Sequence, residues 1–331
     1  MPMVFVSEVF AANQRSMLDR LSSSSQIGPL ELVVMPTGGT IEPHAVSGVE
    51  AAFVSVDMAN ESGDIQRFIA ALQHAPALRW MHIGWAGTDS PFVSGFMDRG
   101  VGVSNSSGVT SEAIALSVIA GVLALHRGLL RWRGAQARHA WEPLARDLAP
   151  PDLRGQTMTI LGLGAIGRQV AAFARALGLN VVGVRRTPAS PADGIDEWVP
   201  PEQLSEVLPR TDWLVSTIPL TAATRHVVGQ TELALLPRGA HVINVSRGAV
   251  FDEPALIDAL RSGHIAGAYL DVFETEPLPP DSPIWDLPNV IVSPHDSWPS
   301  SGNNARAEAI FIEELSNWLS GLPVTRLVSE R

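Results

Sequence analysis

The chain contains no cysteine, and its 23 basic residues are all arginine, because lysine is absent too. Without cysteine there are no disulfides, no thiolate nucleophile and no Cys-ligated metal site. Without lysine, Schiff-base chemistry, a P-loop lysine and the Tyr-x-x-x-Lys pair of short-chain dehydrogenases are all excluded. Positive charge is scarce overall: 34 acidic residues set the formal net charge at -11, which argues against a general nucleic-acid or anionic-membrane surface. Any anion site must therefore be built from clustered arginines. Long hydrophobic runs are missing as well. The longest, residues 113–125, is too short to span a bilayer and reads as a buried core helix. The N-terminus, M-P-M-V-F-V-S-E-V-F, lacks the basic region and long apolar core of a signal peptide. A soluble, cytoplasmic protein with no membrane or nucleic-acid partner is expected. The histidines show no ligand spacing such as H-E-x-x-H and there is no acidic calcium loop, so no metal is expected.

What is present is ample core-forming material, 46% hydrophobic over 331 residues, which suits two domains. The most informative stretch is T-M-T-I-L-G-L-G-A-I-G-R, from Thr157 onward. An apolar run reads as a buried strand, Gly162, Gly164 and Gly167 fall at G-x-G-x-x-G spacing, and Val170, Phe173, Ala174 and Leu177 continue at helical period. Gly162 allows the tight turn, Gly164 lets the backbone approach a pyrophosphate, and Gly167 lets the helix lie close on the strand. The helix start, at Ala165 and Ile166, presents unpaired N–H groups to phosphate. A second strand follows at 180–184. At its end, where an NAD-binding unit places an acid on the ribose hydroxyls, stand Arg185 and Arg186. Guanidinium groups there suit the extra phosphate of NADPH and leave NADH the weaker cofactor.

Before this unit, strand candidates at 4–6, 30–35, 51–56, 78–83 and 101–103 alternate with helical or turn-like segments such as 65–72, a pattern that implies a parallel sheet. A small-residue turn at Ala86, Gly87 and Thr88 can offer backbone N–H groups to a carboxylate. Residues 111–127 form an apolar helix with a polar, Arg- and Trp-bearing continuation over 128–149, and Trp132 and Trp141 make 111–149 a candidate homodimer contact. After the glycine-rich unit, further strands are expected at 213–217, 241–245, 266–271 and 290–293, with helical stretches at 201–208, 231–236 and 253–262. With the first two strands that makes six, the count of a doubled mononucleotide fold.

In an open parallel sheet, ligands sit outside the carboxyl ends of the strands. The residues there are Gly162, Arg185, Pro219 after Ile218, Ser246 and Arg247 after Val245, Asp271 and His295. Arg247 can hold a carboxylate bidentately and polarise the adjacent carbonyl. His295 as imidazolium can donate the proton that a reduced carbonyl needs. A carboxylate beside that imidazole favours its protonated form, and both Glu274 and Glu276 lie on the loop that would reach it. Spacing does not choose between them. Asp271 can accept from a nicotinamide carboxamide.

Over nearly its whole length the chain resembles the D-isomer-specific 2-hydroxyacid dehydrogenase family. The matching pieces are W-A-G-T-D (85–89), G-V-G-V-S-N-S-S-G (100–108), L-G-L-G-A-I-G-R (161–168), I-P-L-T-A-A-T-R (218–225), I-N-V-S-R-G-A-V-F-D-E-P-A-L (243–256), L-D-V-F-E-T-E-P-L-P (270–279) and S-P-H (293–295). The resemblance implies an α/β protein of two doubly wound parallel-sheet domains. A Rossmann cofactor domain (104–296) would be inserted into a flavodoxin-like substrate domain (1–103 and 297–331). It implies that Arg247 binds the substrate carboxylate and carbonyl, that His295 is the acid/base, that Glu276 pairs with it, and that Ala86 and Gly87 supply backbone donors to the substrate. The arginine pair is similar to the NADP-preferring branch, several of whose members reduce glyoxylate and hydroxypyruvate.

Two departures stand out. Where family members carry a Gly- or Ala-rich turn after the histidine, this chain reads Asp296-Ser297-Trp298-Pro299, which puts an indole beside the expected substrate pocket. The family's Ala-Glu pair after Gly108 appears as Ala115-Leu116. The leading expectation is an enzyme that reduces a small 2-oxo acid to the D-2-hydroxy acid. The competing ones are a dinucleotide-sensing regulatory protein of the same fold and a phosphite-type dehydrogenase; the trio Arg247, Glu276 and His295 favours catalysis.

Overall fold

The computed structural model describes all residues except 24–28, 59–62, 89, 146–148, 189 and 329–331. The chain divides into two compact units, Met1–Thr110 with Ser300–Arg331, and Ser111–Pro299. The second unit thus lies, in sequence, between the two parts of the first. The divisions fall a little beyond the expected 103 and 296.

The first unit begins with β1 (Met3–Ser7), β2 (Glu31–Met35), β3 (Val49–Val54), β4 (Trp80–Ile83) and β5 (Gly102–Asn105). They form an all-parallel sheet in the order β2-β1-β3-β4-β5, the flavodoxin-like winding. β4 is buried along its whole length, so its sequence shows no apolar-polar alternation and its one polar residue, His82, is hydrogen-bonded inside. Four helices accompany these strands: α1 (Glu8–Asn13), α2 (Arg15–Ser22), α3 (Asp64–Leu72) and α4 (Pro91–Met97). Ser7 ends β1 and caps α1, its hydroxyl accepting from Phe10 N at 3.1 Å.

The second unit opens with α5 (Ser111–Arg127) and α6 (Leu129–Ala137). The polar continuation expected over 128–149 is not a continuation. Gly128 adopts φ 71°, a left-handed conformation suited to glycine, and α6 departs from α5 at 68°. Residues 146–148 of that segment lie outside the described residues.

The remaining elements are β6 (Thr157–Leu161), α7 (Ala165–Ala176), β7 (Asn180–Val184), β8 (Glu197–Val199), α8 (Leu204–Val207), β9 (Trp213–Ser216), α9 (Gln230–Leu235), β10 (Ala240–Asn244), α10 (Glu253–Arg261), β11 (Ile265–Leu270) and β12 (Val290–Val292). The sheet is all parallel, in the order β12-β11-β10-β9-β6-β7-β8. It has seven strands where six were expected. β8, only three residues long at the sheet edge, is too short for a periodic signal. The helix expected over 201–208 is a single α-turn between two 3₁₀ turns, because Pro201 and Pro209 restrict the backbone on either side. The strand order reverses between β6 and β9, and there the Thr217 hydroxyl bonds the carbonyls of Leu161 and Gly162 at 3.1 and 2.8 Å.

The chain then returns to the first unit as α11 (Asn303–Leu319), whose Phe311 stacks on Phe53 at 4.4 Å. Among the described residues no single helix is long and apolar enough to cross a membrane.

Candidate active site

The site in the second unit is built on loops that leave the carboxyl ends of its strands. At the end of β6, Gly162 has φ 90°, and a Cβ added there would stand 2.7 Å from the Ile218 side chain. A Cβ on Gly167 would stand 2.0 Å from the Gly162 carbonyl oxygen, so α7 starts in direct backbone contact with the turn. Gly164 is different: a Cβ there meets nothing within 4 Å. The first two glycines are required by the protein's own packing. The third keeps clear a space beside the N-terminus of a twelve-residue helix, where an added side chain would stand before the free N–H groups. These features fit a dinucleotide pyrophosphate. After the neighbouring strand β9, Ile218 is half-buried and Pro219 exposed, with the Pro219 carbonyl accepting from Thr224 Oγ1 at 2.7 Å.

The two arginines after β7 separate. Arg185 Nη1 lies 3.0 and 3.1 Å from the two carboxylate oxygens of Asp193, and its Nε donates to Thr187 Oγ1 at 2.9 Å. Arg168, in α7, reaches the same Asp193 with Nε at 2.7 Å. The Asp193 carboxyl is buried and held down at about 2, first by the Ser190 N–H, then by its hydrogen bond from Arg168. Arg186 is exposed.

After β10 the chain turns sharply. Asn244 Oδ1 accepts from Ser246 N at 3.1 Å and from Ser246 Oγ at 2.7 Å, while its Nδ2 donates to the Arg247 carbonyl at 3.0 Å. Ser246 Oγ also lies 2.8 Å from Ser216 Oγ, and Val245 is buried beneath it. Arg247 is partly buried, with Nη1 on its own chain at the Ser246 carbonyl, 2.8 Å away. A Cβ on Gly248 would lie 1.8 Å from the Phe273 carbonyl carbon. Only glycine lets the Arg247 turn press on the 273–276 loop.

That loop carries both glutamates, and they go to different histidines. Glu276 Oε1 accepts from Phe273 N at 3.0 Å and Oε2 stands 2.7 Å from His295 Nδ1. Glu274 Oε1 stands 2.7 Å from His226 Nε2. His295 follows β12 in a left-handed conformation, φ 54°, which is uncommon outside glycine and concentrates where neighbouring contacts fix the backbone. Its N–H donates to the Asp271 carbonyl at 2.8 Å. The Asp271 carboxylate is buried in the turn after His295 and accepts from the N–H of Asp296 and Ser297 and the hydroxyls of Ser293 and Ser297. Trp298 is half-buried against an apolar cluster that includes Ile114, Ala115, Val118 and Tyr269 among its members. In sheet order, Arg247, Glu276 and His295 follow three adjacent strands, β10, β11 and β12. In the first unit, the turn after β4 leaves Ala86 exposed and Gly87 and Thr88 half-buried, with the Ala86 carbonyl accepting from Asn105 Nδ2 at 3.0 Å. Asp89 of the matching W-A-G-T-D piece lies outside the described residues.

Residues 119–297 match the family model for the D-isomer specific 2-hydroxyacid dehydrogenase, NAD binding domain. The chain belongs to this family. The dehydrogenase is 35% identical over 263 residues to a glyoxylate reductase of Korarchaeum cryptofilum, covering 77% of each chain. It is 35% identical over 252 residues to glyoxylate/hydroxypyruvate reductase B of Pectobacterium carotovorum, covering 76% of this chain and 78% of that one. Among solved structures, a D-isomer specific 2-hydroxyacid dehydrogenase from Xanthobacter autotrophicus Py2, in complex with NADPH and MES, superposes with a TM-score of 0.75 at 31% identity, covering 99% of this chain and 98% of that one.

Four residues that matter to the geometry of this dehydrogenase escape a reading of the sequence. Asn244 shapes the Arg247 turn, Phe273 anchors Glu276 through its N–H, Asp193 engages Arg185, and Ser297 reaches back to Asp271. Each acts by a polar contact across a turn; Asn244 and Phe273 lie inside matching pieces of the sequence, but the pattern itself does not mark these contacts. Asn244 alone gives a hint, as a polar residue closing an otherwise apolar strand.

Proposed function

We propose that the dehydrogenase reduces a small 2-oxo acid of the glyoxylate or hydroxypyruvate kind to the D-2-hydroxy acid, with NADPH preferred to NADH. The observation that carries this reading is the 2.7 Å contact between His295 Nδ1 and Glu276 Oε2, on loops after adjacent strands, with Arg247 after the next. With Nδ1 donating to the carboxylate, Nε2–H is the proton available to a substrate oxygen. Glu276 holds the ring by a charge-assisted hydrogen bond and compensates the imidazolium charge. Arg247 supplies a fixed cation for the substrate carboxylate and polarises the neighbouring carbonyl.

The residues fit a dinucleotide at Gly162–Gly167, and the nicotinamide, when bound, supplies the hydride to the carbonyl carbon. The His295 proton then goes to the carbonyl oxygen, which completes the alcohol. The preference for NADPH is supported by the absence of an acid directly after β7 and by Arg186, exposed at that strand end. The glyoxylate reductase names of the sequence relatives and the NADPH complex of the Xanthobacter structure support the same reading. The test is turnover of a panel of 2-oxo acids with each cofactor, followed by chiral analysis of the product. No turnover with any 2-oxo acid, or an L-product, would sink it.

A further inference from the structure

We propose that Ser297 is a positioning residue for His295, acting through the buried carboxylate of Asp271. His295 holds a left-handed backbone conformation with no glycine to ease it, so something must determine the turn around it. The determinant is Asp271. Its carbonyl accepts the His295 N–H at 2.8 Å, and its carboxylate binds the residues on either side of the histidine. Oδ1 accepts from the Ser293 hydroxyl and from Asp296 N at 2.9 Å. Oδ2 accepts from the Ser297 hydroxyl and from Ser297 N at 3.3 Å.

A carboxylate has about four acceptor sites, and here all are taken by the turn. Asp271 is 1% exposed and Ser297 5% exposed, so neither hydroxyl nor carboxylate exchanges these partners for water. The Ser297 carbonyl in turn accepts from Ser117 Oγ of α5 at 3.3 Å. Ser297 therefore ties the turn both to the end of β11 and to α5. Glu276 fixes the imidazole by its ring nitrogen; Ser297 and Asp271 fix the backbone that carries it. Through these contacts Asp271 serves the site by way of the turn.

The inference rests on the proposed 2-oxo acid reduction for its kinetic readout. In Ser297→Ala, kcat is expected to fall about 10- to 100-fold, the loss that follows a small misplacement of a reacting group. The KM for the 2-oxo acid and the fluorescence Kd for NADPH are expected to stay unchanged. Because both residues act through one turn, Asp271→Asn with Ser297→Ala should be no slower than Asp271→Asn alone. Unchanged kcat in Ser297→Ala would overturn the proposal. So would multiplying effects in the double variant, or a weakened NADPH Kd with normal kcat, which would return the carboxylate to the cofactor. If Ser297→Ala fails to fold, Ser293→Ala removes the other hydroxyl from the same carboxylate and must show the same kcat loss at constant Kd. If the parent reduces no 2-oxo acid, the reading of the reaction fails separately, and the His295 imidazole resonances still decide: shifted in Ser297→Ala as expected, or unmoved, which overturns the positioning role.

Discussion

Arg185 and Asp193 form a pair in which the arginine's terminal nitrogen lies 3.0 and 3.1 Å from the two oxygens of a buried carboxylate. Arg185 therefore arrives at the strand end already paired with a carboxylate, which it shares with Arg168, while Arg186 beside it is exposed. On the proposed NADPH preference an unequal division of labour is expected: Arg185 is held by Asp193, and Arg186 is the arginine that meets the 2′-phosphate. Arg186→Ala is expected to raise the NADPH KM about tenfold to a hundredfold, as losing one or two charge-assisted hydrogen bonds would. Arg185→Ala should raise it less and lower the melting temperature more. Equal KM effects in steady-state measurements on the two single variants would refute the division.

How much of this was legible beforehand depended on whether the signal was local. The glycine turn announces itself because Gly162 and Gly167 answer to steric demands within a few residues of each other or across one strand pair. The parallel sheets were legible from apolar runs such as Val181–Val184, buried on both faces. The choice between Glu274 and Glu276 was legible only through the family resemblance and not from spacing, since both sit on one loop and its path, pinned by Phe273 N, sends one to His295 and the other to His226. Asp193 was invisible for the same reason. A lone aspartate in a Pro- and Gly-containing stretch carries no sign of the two arginines it will engage.

The His295–Glu276 pair sets the second expectation. His295→Ala should lower kcat about 10²–10⁴-fold, the loss typical of removing a general acid, with substrate KM little changed. Glu276→Gln keeps the shape but not the charge and should fall between parent and His295→Ala. Steady-state kinetics on the leading 2-oxo acid distinguish these outcomes. Near-normal turnover without His295 would place the proton donor elsewhere.

The glycines separate packing from ligand contact. Gly167→Ala drives a Cβ to 2.0 Å from a carbonyl oxygen, and relieving that overlap should cost about 1–3 kcal/mol or more, read as a lower urea midpoint. Gly164→Ala meets no protein atom within 4 Å, so its urea midpoint should match the parent's while the NADPH Kd rises. Equal stability of both variants would contradict the geometry. Undisturbed cofactor binding in Gly164→Ala would move the pyrophosphate off this turn.

The segment from α5 to residue 144 exposes Leu116, Leu123, Leu129, Trp132, Leu144 and, at 96%, Trp141. So many large apolar side chains on one stretch are the composition of a subunit contact. A homodimer is expected, measured as twice the 35.3 kDa chain mass by light scattering at micromolar concentration. Trp132→Glu with Trp141→Glu should shift the mass toward the monomer. A monomeric parent would leave this surface without the partner assigned to it.

The last expectation concerns pH. His82 is fully buried, with Nδ1 2.7 Å from Ser104 Oγ and Nε2 2.8 Å from Ser106 Oγ, a setting that suits a neutral ring donating at one nitrogen and accepting at the other. Burial, and secondarily the charge of Arg326, lower it from 6.5 to about 3. His241, stacked on Trp213 at 4.3 Å, is lowered to about 4 by burial and then by His126. Between each folded value and 6.5 the unfolded chain binds a proton that the folded protein refuses, so stability must fall as pH drops through that window. For His82 the slope approaches about 1.4 kcal/mol per pH unit well below 6.5. Asp193, held at about 2, adds its loss only below 3.8, which leaves the range from about 6 to 4 to the histidines. His82→Gln keeps a donor and an acceptor for the two serines but cannot titrate. Its urea midpoints should start lower than the parent's at pH 7 and decline less steeply toward pH 4.5, and parallel declines in parent and variant would show that His82 is not the group taking up the proton.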